Sequence, residues 1–176
     1  MHAFSLFGSA AAVLMMAGCQ SAPPQLATVP HVDLQRFMGD WYVIANIPTF
    51  IEKGAHNAVE SYRLEPDGTI ATTFTFKAGG FDGKPKKYTP HGFVVDTTTN
   101  ALWGMQFIWP IKADYRITYL ADDYSQTVIG RQKRDYVWIM ARTPSISDDD
   151  YNKLIRFIGS QGYDVDQIQK VPQQWK

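Results

Sequence analysis

Apolar positions along the chain follow three different rules in three successive regions. From Ala3 to Gly18 nearly every residue is apolar or small, including Leu6, Phe7, Val13, Leu14, Met15 and Met16. That run is shorter than the ~20 residues needed to cross a bilayer and has the size of the apolar region of an export signal. From Trp41 to Arg142 the pattern becomes period two, in short runs rich in Val, Ile, Thr, Tyr, Phe and Trp. It predicts eight strands, over 41–47, 58–64, 69–76, 88–96, 101–108, 115–120, 127–132 and 136–142. Pro48, Pro66-Asp67-Gly68 and Gly79–Gly83 punctuate them. After Thr143-Pro144 the period is helical: Tyr151, Leu154, Ile155 and Ile158 share one face. Ser147 is placed to cap that helix, Asp148–Asp150 put negative charge on its first turn, and Gly159 and Gly162 stop it. A shorter helical turn is expected over Asp33–Met38.

Eight strands at a spacing of about 8–12 residues, with no helix between them for parallel crossovers, imply an all-β antiparallel barrel or sandwich. The single amphipathic helix belongs on its outer face. A closed eight-stranded barrel has room inside for side chains or one small ligand. The chain is 14% aromatic, and these rings by themselves fit a solid core as well as a lined cavity.

Charge and candidate chemistry narrow the function. The 17 basic and 17 acidic residues balance, and the first of them is Asp33, so no global field favours nucleic acid. His2, His31, His56 and His91 lack the spacing of a metal site, and His56 and His91 read as surface loop residues. Gly79–Lys84 has a superficial likeness to a phosphate loop, but Pro85 stands where Ser or Thr is needed, so it reads as a hairpin loop. Neither a nucleophile elbow nor a dinucleotide fingerprint is present. No catalytic residue, metal ligand or cofactor is assigned.

The only cysteine, Cys19, excludes a disulfide framework. It ends the apolar run in Met16-Ala17-Gly18-Cys19, which resembles the lipobox of bacterial lipoproteins, although Met16 stands where Leu is commonest and residues 1–18 carry no basic group. The resemblance implies removal of residues 1–18, a diacylglycerol on the Cys19 sulfur, and palmitate-type acylation of the new amino terminus. Gln20, rather than Asp, implies sorting to the outer membrane, facing the periplasm. Residues 19–31, with the Ser/Ala/Pro/Gln-rich stretch Gln20–Gln25, are expected to form a tether, and residues 32–176 the folded domain.

Three separated segments resemble the lipocalin family, and within it the bacterial outer-membrane lipoproteins and their apolipoprotein D-like relatives. They are Gly39-Asp40-Trp41-Tyr42, Asp114–Tyr124 (DYRITYLADDY) and Arg134–Pro144 (RDYVWIMARTP). The resemblance implies an up-and-down barrel whose narrow end is closed by Trp41, with Gly39 beside it and Arg142 across the indole. Strand alternation then places inside the barrel Val43 and Ala45, Glu60 and Tyr62, and Thr72, Phe74 and Phe76. Trp103, Met105, Phe107, Tyr136, Trp138 and Met140 complete the expected lining. Carried-over parity also turns Arg116 and Thr118 inward, where Arg116 would pair with Glu60. Bare alternation instead turns Tyr115, Ile117 and Tyr119 inward and Arg116 out.

Such a lining suits a fatty-acid- or lysophospholipid-like amphiphile, held for lipid storage or transport in the envelope without catalysis. The rival of a different class is a solidly packed envelope scaffold that binds only protein partners. A lipocalin-type enzyme is a third reading with no catalytic group to carry it. A homodimer is compatible with all three.

Overall fold

The computed structural model describes residues 24–175; the expected leader, Cys19 and the first part of the tether lie outside them. A short helix α1 (Leu34–Phe37), capped by the Asp33 carboxylate accepting from the Arg36 N–H, leads into strand β1 (Gly39–Ile47). Then follow β2 (Ala55–Leu64), β3 (Ile70–Ala78), β4 (Lys84–Tyr88), β5 (His91–Val94), β6 (Leu102–Ile108), β7 (Ile111–Leu120), β8 (Gln126–Gly130) and β9 (Val137–Ala141). Helix α2 (Asp148–Ser160) and a two-residue strand β10 (Gln169–Lys170) complete the chain. Pairing is antiparallel in the order β1-β2-β3-β5-β6-β7-β8-β9, with β4 also on β3 and β10 on β1, and β9 returns to β1 through Tyr42↔Ala141 and Ile47↔Val137. The sheet therefore closes into an eight-stranded barrel. β4 and β5 both pair β3 and form one barrel strand broken at Thr89-Pro90, where proline has no N–H to give a ladder. The expected single strand over 88–96 is thus two pieces, beginning earlier, at Lys84. His56 and His91, expected in loops, lie on β2 and β5.

Two apolar layers result. Inside the barrel Phe37, Trp41, Val43, Tyr62, Phe74, Trp103, Ile117, Ile129 and Met140 form one continuous core. Outside, Leu154 and Ile158 of α2 bury against Ile44, Ala45, Val128 and Ile139, as a helix with one apolar stripe must. The Ser147 hydroxyl caps α2 by accepting from the Asp150 N–H. The last turn runs through Gly159 to Ser160, and Gly162 follows at φ +89°.

Two bulges change the expected faces. Between Val43 and Ala45 the β1–β9 register slips by one residue, so Val43 points in while Ala45 joins the outer layer under α2. A similar slip between Ile117 and Tyr119 leaves Tyr115 and Ile117 inside and turns Tyr119 out onto Phe157 of α2, with ring centroids 5.5 Å apart. A bulge gives one strand an extra residue and reverses alternation beyond it.

Residues 24–31, read from composition as tether, pack on the barrel wall. Leu26 is buried, and the Val29 N–H donates to the Ile117 carbonyl.

Candidate functional site

One end of the barrel is plugged. The Trp41 indole is fully buried and donates to the Phe37 carbonyl at 2.8 Å. Phe37 packs against Trp41, Trp103 and Tyr62 with centroids 5.0, 5.4 and 5.7 Å apart. The Arg142 guanidinium lies 3.8 Å from the Trp41 ring and donates to the carbonyls of Asp40, Arg36 and Phe37. That combination holds α1 across the opening by cation–π attraction and hydrogen bonds at once. Gly39 adopts φ +92°, and a Cβ there would sit 3.5 Å from Arg142 Nη1. Glycine is suited to that backbone conformation.

The other end opens onto a cavity of about 460 Å³, within the range of roughly 300–1,000 Å³ typical of small-molecule sites. Of the expected lining, Phe74, Met105, Trp138, Met140, Tyr136 and Glu60 face it. Phe107 also lines it, but at the rim and half exposed, beyond a register slip between Met105 and Ile108. Tyr62 and Trp103 lie in the plug, not on the cavity surface; Trp103 is fully buried and donates to the Asn100 carbonyl at 2.7 Å. Phe76 stays inside the barrel against Phe74 and Tyr88 without reaching the cavity.

Arg116 corrects the carried-over parity. It points outward, ion-paired to Asp114 at 3.0 Å and donating to the Leu26 carbonyl at 3.1 Å. It therefore cannot pair with Glu60, and its work is to hold the N-terminal segment on the barrel. Thr118, expected beside it on the inner face, donates to the Val128 carbonyl and sits next to Gly130 and Leu26.

Glu60 instead accepts from the Tyr62 hydroxyl, which lies 2.6 Å from the Tyr115 hydroxyl. Burial pushes the Glu60 carboxyl up to about 7, opposed by the Tyr62 hydrogen bond and reinforced by the charge of Glu52. Burial also raises both tyrosines well above their ordinary range.

Charged residues of the cavity were missed, Glu52, Asp114 and Arg131 among them. Glu52, on the loop after β1, is buried and accepts from Asn46, Thr49 and the Trp138 indole at 2.7, 2.7 and 2.8 Å. Burial raises its carboxyl as well, against the pull of those three donors. The apolar run Thr49-Phe50-Ile51 before it was the available signal. Arg131, just past β8, lines the mouth 3.4 Å from Asp135, and its Nε has no protein partner. The available signal for Arg131 was its parity with Ile129 in the expected strand 127–132. Among the described residues no group of three His, Cys, Asp or Glu converges as a metal site.

A β-barrel plugged at one end and open at the other onto an apolar cavity defines a calyx-type binding protein. The chain belongs to the lipocalin family: the model of the lipocalin-like domain matches residues 32–173, and the family binds small hydrophobic ligands. It is 30% identical to temperature-induced lipocalin-1 of Arabidopsis thaliana over 161 residues, covering 85% of this chain and 83% of that protein. It is 28% identical to the outer membrane lipoprotein Blc of Escherichia coli over 170 residues, covering 94% of each. Insecticyanin from the tobacco hornworm Manduca sexta shares the fold at a TM-score of 0.67 and 12% identity, over 87% of this chain and 86% of that one.

Proposed function

We propose that this lipocalin is a lipid-anchored carrier that holds one fatty-acid- or lysophospholipid-like amphiphile for storage or transport in the cell envelope, without catalysis. The observation that carries the reading is the cavity itself, apolar on most of its wall and open at a single end. Likeness to outer membrane lipoproteins over nearly the whole chain supports an anchor at Cys19 and an outer-membrane location.

The placement of charge supports one orientation of the ligand. Glu60 is enclosed beside the plug, whereas Arg131, the one Lys or Arg among the described lining residues, stands at the mouth, where the Glu52 loop lies and from which Asp114 also lines the cavity. An anionic head driven to the floor would meet the enclosed Glu60 carboxyl beside the plug, at a high desolvation cost. The acyl chain therefore enters first, and the carboxylate or phosphate stays beside Arg131, whose free Nε can donate to it.

Delipidated protein titrated with a fluorescent fatty acid tests the reading. Saturable one-to-one binding is expected, and its absence favours the scaffold. Arg131→Met should lose most of the preference for a fatty acid over its methyl ester, about tenfold for one charge-assisted hydrogen bond. Arg116→Met should leave that preference intact. Cys19→Ala should abolish acylation, read by mass spectrometry and membrane fractionation.

A further inference from the structure

Eight large apolar side chains are markedly exposed among the described residues. Isolated cases are ordinary on any surface. Here, however, six of the eight (Phe50, Phe81, Phe107, Ile108, Trp109 and Ile111) belong to three segments around the cavity mouth. Phe50 is 83% exposed and Trp109, at the tip of the β6–β7 hairpin, 82%; Ile108 and Ile111 beside it are 72% and 69% exposed. Phe50, Phe107 and Ile108 also line the cavity, so the rim and the interior form one apolar surface. Lys53, Lys84, Lys112 and Lys133 are exposed around the same rim, against the exposed Asp82 and the partly exposed Asp135, which is paired to Arg131. Apolar tips with tryptophan, ringed by lysines, are complementary to a bilayer interface containing anionic lipid.

The path of the N-terminal segment says which bilayer. The Pro24 carbonyl accepts from Arg134 Nη2 at 2.9 Å and Gln132 Nε2 at 3.3 Å, and the Leu26 N–H donates to Gln132 Oε1 at 2.8 Å. Gln132 and Arg134 belong to the β8–β9 loop, which is part of the mouth. The chain thus leaves the barrel at its open end. Cys19 precedes Pro24 by five residues, which span at most about 18 Å. Reaching the lipid with the closed end down would require a return along a ten-residue strand such as β7. That is about 33 Å along the strand and roughly 25 Å along a barrel axis tilted by about 40°, more than the segment can cover.

The geometry points to a barrel that docks mouth-down on the bilayer holding its own anchor. Trp109, Ile108, Ile111 and Phe50 enter the interface, and amphiphiles pass between membrane and cavity without crossing water. This rests on the Cys19 anchor and the carrier function proposed above.

The test uses the full lipidated chain reconstituted in phosphatidylethanolamine–phosphatidylglycerol vesicles, with brominated acyl chains in one set. Brominated lipid should quench tryptophan emission of the native protein, and Trp109→Tyr should remove most of that quenching; equal quenching in both proteins overturns the docking. Trp109→Ser/Ile111→Ser, which changes no cavity-lining residue, should slow pick-up of a fluorescent lysolipid from vesicles at least tenfold. Its affinity for the same lysolipid dispersed as monomers should stay that of the native protein, and unchanged pick-up again overturns the docking. A dimer in solution that shields Trp109 from iodide without vesicles assigns the rim to a second copy and also overturns it. Failure to bind monomeric lysolipid at all strikes the carrier reading, and an unmodified Cys19 by mass spectrometry strikes the anchor, each independently of the quenching.

Discussion

Glu60 makes the stability of this barrel depend on pH in a direction opposite to that of ordinary surface carboxylates. Its carboxyl is enclosed, accepts from the Tyr62 hydroxyl, and titrates at about 7 where 4.5 is ordinary. Between those two values the folded chain holds a proton that the unfolded chain has released. The Glu60 contribution to stability is therefore fully present below about pH 4.5, is lost as pH rises through 7, and stays lost above it. At about 1.4 kcal/mol per pH unit the ionised form costs the fold about 3 kcal/mol. Glu52 shifts in the same direction, so the comparison that isolates Glu60 is with Glu60→Gln, whose amide oxygen still accepts from Tyr62. Urea unfolding at pH 4.5 and pH 8 is the assay. At pH 4.5 the two proteins should match; at pH 8 the variant should be more stable by about 3 kcal/mol. For a urea slope of about 2 kcal/mol/M that is a midpoint shift of about 1.5 M. Tyr62 and Tyr115 titrate well above this window and do not confuse it. If native and variant stabilities fall in parallel between the two pH values, Glu60 is not the buried acid described above.

Trp41→Ala removes the plug under Arg142 and should cost about 3–5 kcal/mol by thermal or chemical unfolding; the exposed Lys84→Ala should cost less than about 0.5 kcal/mol. Arg142→Lys keeps the charge but loses the three-carbonyl clamp, and should cost about 1–3 kcal/mol by the same measurement. Ligand entry should be read by Trp138, which lines the cavity, and not by Trp103 in the plug: Trp138→Phe should abolish the emission change on binding, and Trp103→Phe should preserve it. Phe74→Asp places a charge on the apolar wall and should weaken fatty-acid binding at least tenfold in a titration.

Much of this architecture was legible because it is repetitive or locally encoded. Period-two runs separated by turn residues specify strands whatever surrounds them, and the stripe Leu154–Ile158 after a Ser147 cap specifies an outer helix. Gly39, Trp41 and Arg142, far apart in the chain, lie together at the closed end. Short-range alternation correctly turned Tyr115 inward where carried-over parity turned Arg116 inward instead.

What failed were statements that require knowing the partner of a residue. Ala45 and Tyr119 face out because bulges absorb one residue each, and where a strand slips depends on the helix and strands packed on it, not on its own sequence. Arg116 was given to the cavity by carried-over strand parity, and the segment read as a tether supplies the Leu26 carbonyl that it binds on the outside instead. Glu52 lies outside the strand periods, so alternation could assign it no face, and Arg131, two residues after the inward Ile129 in the expected strand 127–132, was passed over because a charged residue at a strand end reads as solvent-facing. Strand and helix periods were enough for the barrel and the outer helix, whose contacts repeat every two or four residues, whereas the plug was legible only through the motif residues of the resemblance, since Arg142 meets Trp41 from the far end of the chain. Which partner each buried polar group meets, and the side from which the chain departs, came only from the packed barrel, because Glu52 meets Trp138, Arg116 meets Leu26 and Arg134 meets Pro24 across 86, 90 and 110 residues of chain.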